Sequence, residues 1–513
     1  MSVVLISGER KSLRKRSMKP LFRLKCGGNL QRKEVMIMRI LFATSEAAPY
    51  KKTGGLGDVA YALPNELANQ KDVEVSVFMP YYKSIKTNPD YKVEFVTNFG
   101  VPLGWRSLYC GLFKATTEKD NWCYYFLDND YYFGGRDSTY GDYDDGERFA
   151  FFSKAILESL IHMDETPDVI HCNDWQTALV PTFLKANYCH MERFQKIRTV
   201  FTIHNIEYQG KMPDAFFQDV LGLNEYWFNV LHYGDCLNLM KGAIVMADKV
   251  TTVSKTYSYE IRHAYFAHGL QDILQEYGYK VDGIVNGIDT DLYNPATDPK
   301  IFQSYKAGDL KGKAANKRML QERLKLPVNP DVPMIGMISR LVAHKGLDLV
   351  EFVADELMQM DIQLVVIGTG EDKFQNLFWR MAWEHPDKMS ANILFDPVLA
   401  NQLYAGADLF LMPSQSEPCG LSQLISMRYG TIPIVRETGG LFDTVPALNP
   451  ETMEGRGFTF KTYNAHDMLQ SIRMAIDFWR DQKKRAVLVK NIMSCDFSWK
   501  EPVKQYLDIY RGL

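Results

Sequence analysis

The sequence contains no run of about 18 apolar residues, so it offers no candidate transmembrane helix. It contains no CxxC pair: its eight cysteines stand apart at positions 26, 110, 123, 172, 189, 236, 419 and 495. That scatter argues for a reducing compartment and against a zinc site or a disulfide framework. There is no excess of charge, the net value being -3 at pH 7, so no global field steers the chain to nucleic acid or an anionic membrane. Internal repeats and low-complexity tracts are absent, as is the apolar core of a signal peptide, and the expected location is cytoplasmic.

What is present has the composition of a soluble globular protein. At 513 residues, 46% hydrophobic and 24% charged, the chain is long enough for two or three domains, each with its own core. The first 35 residues differ, with ten Lys or Arg against two Glu and little periodicity. This stretch reads as a disordered basic tail, as a transit peptide, or as an early start ahead of Met36 and Met38; the tail or the early start is preferred.

The fold is expected to begin at Met38–Thr44, a short apolar run. It passes through Lys52-Thr53-Gly54-Gly55-Leu56-Gly57-Asp58 into a helix from about Val59 to Gln70. Glycines in a strand-to-helix loop let the backbone approach a ligand closely. The loop is not GxGxxG and no acidic residue completes a dinucleotide fingerprint, so a Rossmann dehydrogenase gains little support. Further strands are expected at Glu74–Met79, Val93–Phe99, Trp122–Leu127, Val169–Cys172, Thr199–Ile203 and Lys249–Val253, with helices at Glu147–His162 and Trp175–Ala186. The alternation predicts a largely parallel sheet with helices on both faces. The aromatic-rich segment Tyr124–Tyr143 reads as a surface insertion near a site.

Between Asp282 and Pro295 glycine, asparagine and proline mark a domain junction. A helix over Leu310–Lys325 follows, then a second alternation: strand 334–338, helix 346–358, strand 362–367, helix 372–383, strand 392–395 and helix 399–405. Asn464–Asp481 and Trp499–Arg511 read as closing helices, with Trp499, Tyr506 and Tyr510 as docking aromatics. The expected architecture is α/β, two doubly wound Rossmann-like domains facing each other across a cleft.

The richest chemistry lies in Ala407–Gly440. An apolar strand, Leu409–Met412, breaks at Pro413-Ser414 and restarts as a helix near Gly420, just after Glu417-Pro418-Cys419. A second apolar run, Ile432–Val435, leads to a Gly439-Gly440 turn. A strand, a glycine turn and a helix N-terminus present free N–H groups and a helix dipole to an anion. Such units also occur in domains that bind nothing. Upstream, directly after Met334–Ile338, stand Arg340 and Lys345. They can neutralise two phosphates, the Arg as a fork and the Lys as a point charge. Together the pieces suit a diphosphate, with the Glu417 carboxylate beside it.

From Met38 to the C-terminus the chain resembles the ADP-glucose-type glycogen and starch synthases, retaining glycosyltransferases of the GT-B fold class. The resemblance rests on motifs in order: Lys52-Thr53-Gly54-Gly55-Leu56-Gly57-Asp58, Asp144-Asp145-Gly146-Glu147-Arg148-Phe149, Asn173-Asp174-Trp175, Thr202-Ile203-His204-Asn205, Asn286-Gly287-Ile288-Asp289, Gly312-Lys313 with Asn316-Lys317, Ser339-Arg340-Leu341 with Lys345-Gly346, Glu417-Pro418-Cys419-Gly420-Leu421 and Thr438-Gly439-Gly440-Leu441. It implies transfer of glucose from ADP-glucose to the non-reducing 4-OH of an α-1,4-glucan, with the α configuration kept. It further implies an acceptor domain over 38–284, a nucleotide-sugar domain over 285–484, and a C-terminal segment, 485–513, returning to the first domain. The basic extension, 1–37, stands outside it.

Within that resemblance Arg340 and Lys345 stabilise the leaving diphosphate by preorganised charge. Glu417 holds glucose hydroxyls and steadies an oxocarbenium-like transition state without acting as a nucleophile. His204 lies over the sugar; a lone His at a strand end is otherwise more often a core residue. Asp144 matches the acidic position near acceptor or sugar, with Asp145 as its rival by one residue. Nucleotide-sugar contacts fall on Lys52, Gly54, Gly55, Asn286, Phe395, Cys419, Gly420 and Leu421, and Asn205 is a further polar sugar or hinge contact. No cofactor and no metal is expected: the D-x-D forms Asp128-Asn129-Asp130 and Asp289-Thr290-Asp291 fall in a turn-rich segment and at the domain junction. Three departures stand out. Gln415-Ser416 replaces the family's Arg-Phe, Phe395 replaces a Tyr that stacks on adenine, and Gln176 replaces a His. The rival readings are another glycosyltransferase of this fold, a synthase preferring another nucleotide-glucose, and a catalytically weak glucan-binding paralogue. The intact Arg340, Lys345 and Glu417 argue against the last.

Overall fold

The computed structural model describes residues 37–164, 166–308 and 310–513. The basic N-terminal stretch and its readings lie outside the described residues.

Among the described residues, nine strands form the first sheet: β1 (Met38–Ala43), β2 (Val73–Pro80), β3 (Glu94–Leu103), β4 (Arg106–Thr116), β5 (Trp122–Asp128), β6 (Val169–Asn173), β7 (Arg198–Ile203), β11 (Lys249–Thr252) and β12 (Val281–Gly283). Their spatial order is β12-β11-β7-β6-β1-β2-β5-β4-β3. The strands from β12 to β5 are parallel; β4 and β3 add an antiparallel hairpin at the edge. A small antiparallel sheet of β8 (Lys211–Met212), β9 (His232–Tyr233) and β10 (Cys236–Asn238) sits between β7 and β11 in sequence. The second sheet is parallel throughout, in the order β15 (Met389–Asn392), β14 (Gln363–Ile367), β13 (Met334–Ile338), β16 (Leu409–Met412), β17 (Ile432–Arg436), β18 (Phe458–Phe460). The central strands β1, β6, β14 and β16 are apolar runs because helices cover both of their faces. The expected pair of doubly wound units is what the chain forms.

Each sheet has its own core. Helix Gln482–Met493 packs on the second core through Leu488, Val489 and Ile492. The chain joins the first core only at Trp499, later than a boundary at 485, and helix Lys500–Gly512 buries Val503, Tyr506, Leu507 and Tyr510 there. The Tyr510 hydroxyl bonds His171 of β6 at 2.7 Å, and Arg511 pairs with Asp72 at 2.8 Å. Burial holds that His171 down at about 3, so the ring is neutral and serves as a hydrogen-bonding core group.

Several expectations are corrected. Tyr124–Tyr143 is not a surface insertion: Tyr124 is a buried residue of β5, and Tyr132 and Phe133 pack under helix Asp145–Ile161. Only Tyr131 and Tyr143 of these tyrosines stand exposed. The helix expected over Trp175–Ala186 is three helical pieces in succession, Trp175–Thr177, Leu179–Phe183 and Leu184–Tyr188, whose junction residues Ala178, Phe183 and Leu184 keep right-handed helical dihedrals. Helix 346–358 breaks at Val353 into two short pieces. The strand placed at 392–395 is β15, Met389–Asn392, which leaves Leu394 and Phe395 in an exposed connection. Gly439-Gly440 opens a helix, Gly439–Thr444, instead of closing as a turn. Among the described residues no helix is long and apolar enough to cross a membrane.

Candidate active site

In the second sheet β13 and β16 are neighbours, so the loops at their C-terminal ends must meet. The β13 loop carries Arg340 and Lys345; the β16 loop carries Ser414 and Glu417. Gly346 turns the first loop at φ +74°, and a Cβ there would stand 2.0 Å from the Pro413 carbonyl oxygen, so the close approach of the two loops requires glycine. From the facing lobe the loop after β1 brings Gly54 and Gly55, and Leu421 packs 3.5 Å from where a Gly55 Cβ would sit. The result is a cavity of about 200 Å³ lined by Gly54, Gly55, Arg340, Lys345, Glu417, Gly420 and Leu421 together with strand-end backbone. Seven of the expected site residues thus converge.

Within it Lys345 Nζ donates to both Glu417 oxygens, at 2.9 and 2.7 Å, and the Ser414 hydroxyl adds a third bond at 2.8 Å. Burial pushes the Glu417 carboxyl up; Lys345, Ser414 and His344 more than offset it and hold the carboxyl below its usual range. Glu417 is therefore a buried anion. Arg340 is exposed, and among the described residues its side chain makes a single long bond, 3.4 Å to the Tyr208 hydroxyl, which suits a group kept for a ligand. No side chain caps the helix Ser422–Arg428 that follows Gly420 and Leu421.

A larger cavity of about 270 Å³ lies on the other side of Leu421, between Tyr61, Tyr293 and Trp499. Two carboxylates, Asp58 and Asp289, line it and no Lys or Arg does. The smaller cavity is the one whose chemistry suits a diphosphate.

The glycine loop is organised by a residue that the motifs did not single out. Glu46 is buried, and its carboxylate accepts from the amides of Thr53 (2.8 Å), Gly57 (3.0 Å) and Gly54 (3.2 Å) and from the Thr53 hydroxyl. The Gly54 amide is thereby committed inside the loop and is not aimed at a phosphate. Lys52 is paired with Asp58 at 2.7 Å and does not line the cavity.

His204 is half-buried at the end of β7. Its amide donates to Asp174 at 2.7 Å, and its ring Nε2 lies 2.9 Å from the Asn173 side-chain oxygen. Burial holds the ring at about 3, so it is neutral. Asp174 sits at φ 56°, a strained conformation for a non-glycine residue, and burial pushes its carboxyl up to about 7. Asp174 is the middle residue of the motif Asn173-Asp174-Trp175, which was the signal available. Asp144, the expected acid, is not free. Arg136 forks it at 2.5 and 2.6 Å, using both oxygens. Asp145 is likewise engaged, by Arg148 at 3.3 Å and the Gly141 amide at 2.8 Å. This acidic pair belongs to an internal charge cluster, and neither residue lines the cavity.

Asn286 is buried with its side-chain oxygen unpartnered, beside Cys419, whose thiol its backbone amide meets. Burial pushes that thiol up to about 12, so Cys419 is uncharged packing under the Glu417 loop. Phe395 is 74% exposed beyond the C-terminal end of β15, a free ring at the same edge of the sheet as the cavity. Gln415 donates to Tyr265 of the other lobe at 2.8 Å. Gln176 is buried with its oxygen unpartnered. Among the described residues no group of three or more His, Cys, Asp or Glu is placed to hold a metal ion. Asp128 and Asp130 share Lys86, at 2.5 and 2.7 Å.

Comparison with known proteins gives the family and the fold. A family model described as starch synthase catalytic domain matches residues 39–276, and one described as glycosyl transferases group 1 matches 320–493. A glycogen synthase of Clostridium novyi (strain NT) is 49% identical over 93% of this chain and 99% of its own length. The chain belongs to the glycogen synthase family. Another member, from Clostridium acetobutylicum, is 48% identical over 93% of this chain and all of its own. Among solved structures, the catalytic domain of starch synthase IV from Arabidopsis thaliana, bound to ADP and acarbose, superposes with a TM-score of 0.85 at 34% identity, covering 93% of this chain and 99% of that one. Sucrose-phosphate synthase from Thermosynechococcus elongatus shares the fold, with a TM-score of 0.58 at 16% identity over 93% of this chain and 98% of that one. Both lobes are thus those of the family's GT-B fold.

Proposed function

We propose that this chain is a glycogen synthase that transfers glucose from ADP-glucose to the non-reducing 4-OH of an α-1,4-glucan, with the α configuration retained. The observation that carries the reading is the buried Lys345–Glu417 pair, with Arg340 beside it, where β13 and β16 end. Arg340 and Lys345 neutralise the diphosphate as the anomeric C–O bond breaks. Glu417, held anionic, binds glucose hydroxyls and stabilises the positive character that develops at the ring. The departing phosphate takes the proton of the acceptor hydroxyl on the same face, so Glu417 need not be a nucleophile. Lys345 stands between the two tasks, at once the counter-ion of Glu417 and a ligand of the diphosphate.

The second lobe, 285–484, holds the nucleotide sugar and the first, 38–284, the glucan. Phe395 stacks on the adenine, and Asn286, with its unpartnered oxygen, meets a sugar hydroxyl. Gly55, Gly420 and Leu421 close over the diphosphate, and Lys52 leaves Asp58 for it when the lobes close. Neutral His204 donates or accepts at the sugar but carries no charge to it. Asp174 holds the amides of His204 and Asn205 and so fixes the sugar-facing loop, a task that Asp144, forked by Arg136, does not share. The location that goes with this activity is the cytoplasm.

The test is glucose transfer to glycogen from ADP-glucose and from UDP-glucose, without added metal, for the wild type and Glu417→Ala. Transfer from ADP-glucose that is lost in the variant is the expected result. Preference for UDP-glucose would place the effect of Gln415 and Phe395 on base choice. Binding of glycogen without transfer from either donor would overturn the reading.

A further inference from the structure

The lobes also meet where helix Lys255–Glu260 of the first faces helix Gly439–Thr444 of the second. Each helix gives a carboxylate to backbone of the other. Asp443 accepts from the Thr256 amide at 3.0 Å and its hydroxyl at 2.6 Å. Glu260 accepts from the Gly439 amide at 3.0 and 3.1 Å and from the Thr438 hydroxyl at 3.0 Å. These are charge-assisted bonds in a partly buried interface.

The two halves of the exchange differ in what they touch next. The Gly440 amide, one residue beyond Glu260's partner, donates to the Glu417 carbonyl at 3.1 Å. Gly439 itself stands at φ +44°, and a Cβ there would meet the Glu417 carbonyl oxygen at 2.0 Å. Backbone rests on backbone, so any shift of Gly439 moves Glu417. Asp443 lies further along the helix, past this contact. On the first-lobe side the Tyr257 hydroxyl accepts the Ile206 amide at 3.2 Å, two residues after His204. Helix Lys255–Glu260 thus supports the His204 loop directly and the Glu417 loop through Glu260.

We propose that Glu260 is a positioning residue for glucosyl transfer: by holding Gly439 across the lobe interface it sets the placement of Glu417 in the cavity. The proposal rests on the reading of Glu417 given above. Misplacement of a site group by about 1 Å costs on the order of 10²-fold in rate.

The test compares the full-length wild type, Glu260→Ala, Glu260→Asp, Glu260→Gln and Asp443→Asn. Initial rates are taken over a range of ADP-glucose at saturating glycogen, with thermal unfolding alongside. Glu260→Ala is expected to lower kcat at least about tenfold with little change in KM, and Glu260→Asp, which withdraws the carboxylate by one methylene, about fivefold. Glu260→Gln keeps an acceptor oxygen for the Gly439 amide and is expected to recover most of the rate. Asp443→Asn weakens the same interface away from Glu417 and is expected to stay within about twofold of wild type. Hydrogen exchange of peptides spanning 413–441 is expected to speed up in Glu260→Ala and Glu260→Asp but not in Asp443→Asn. Equal losses of rate and of melting temperature for the Glu260 and Asp443 variants would overturn the proposal, as would a pure KM effect or unchanged exchange. Should Glu260→Ala not fold, Glu260→Asp carries the same comparison. A wild type without transfer activity would count against the proposed function, and the exchange data would still decide this one.

Discussion

Replacing Lys345 by alanine removes two things at once, and the structure assigns each its own signature. The ammonium touches both oxygens of Glu417 and, in the proposed reaction, the diphosphate. Loss of one preorganised charge at a reacting centre costs ~10²–10³ in kcat, about 2.7–4 kcal/mol of barrier. The second effect falls on Glu417. Burial raises its carboxyl, and Lys345 is the largest force returning it below its ordinary 4.5. In the wild type the folded value lies below the unfolded one. The anion and the stability it contributes are therefore complete above the unfolded value and lost only as pH falls through the folded one. Without Lys345 only Ser414 and His344 oppose burial, so the folded value rises and the stability that the buried anion contributes at neutral pH falls.

The assay is kcat for transfer from ADP-glucose to glycogen from about pH 4 to about pH 9, for the wild type, Lys345→Ala and Lys345→Arg. Lys345→Ala is expected to lose rate at every pH and to show its acid limb at higher pH than the wild type. Lys345→Arg keeps the charge, so its acid limb is expected to remain in place even where its rate falls. An acid limb that does not move in Lys345→Ala would refute the electrostatic coupling. A rate within about tenfold of wild type would refute the role of Lys345 at the diphosphate.

Other variants separate the remaining roles. Phe395→Ala is expected to raise KM for ADP-glucose about tenfold, since stacking on a base is worth about 1–3 kcal/mol, with kcat unchanged in steady-state kinetics. Gly346→Ala places a Cβ 2.0 Å from the Pro413 oxygen at a left-handed φ, and urea unfolding is expected to show a loss of about 1–3 kcal/mol, with activity falling as the two loops part. Asp144→Asn is expected to lower the melting temperature and leave kcat within about threefold, because Arg136 already takes both oxygens of Asp144. Asp174→Asn is expected to lose kcat and to flatten the pH dependence of stability. Burial holds Asp174 at about 7, above its unfolded 3.8, so its contribution is full below the lower value and lost as pH rises towards the upper. Equal kcat losses in the two Asp variants would reinstate Asp144.

How much of this was legible in the sequence follows from the kind of information each feature needs. β13 and β16 read directly as apolar runs ending in polar loops, because a central parallel strand is covered on both faces. β4 did not: it is an antiparallel neighbour of the edge strand, with Gly111 and Lys114 interrupting its apolar positions, and it lacks the continuous run. The harder losses concern which charge neutralises which. The resemblance brought forward Asp144, with Asp145 as its rival, but the sequence could not show that Arg136 and Arg148 engage them, whereas Asp174 is held by amides thirty residues on, at His204 and Asn205. Glu46 was passed over for the same reason, since nothing local says that a carboxylate will turn back to bind the loop at Thr53–Gly57. Gln415 reads in the sequence as a lost positive charge beside the site, and only the structure shows that it also donates across the lobes. The Lys345–Glu417 pair is the instructive exception. Its members are 72 residues apart, yet each follows an apolar parallel strand directly, and such loops gather at one edge of the sheet. Strand order then does the rest: β13 lies beside β16, so the cation carried at the end of one strand meets the carboxylate carried at the end of the other.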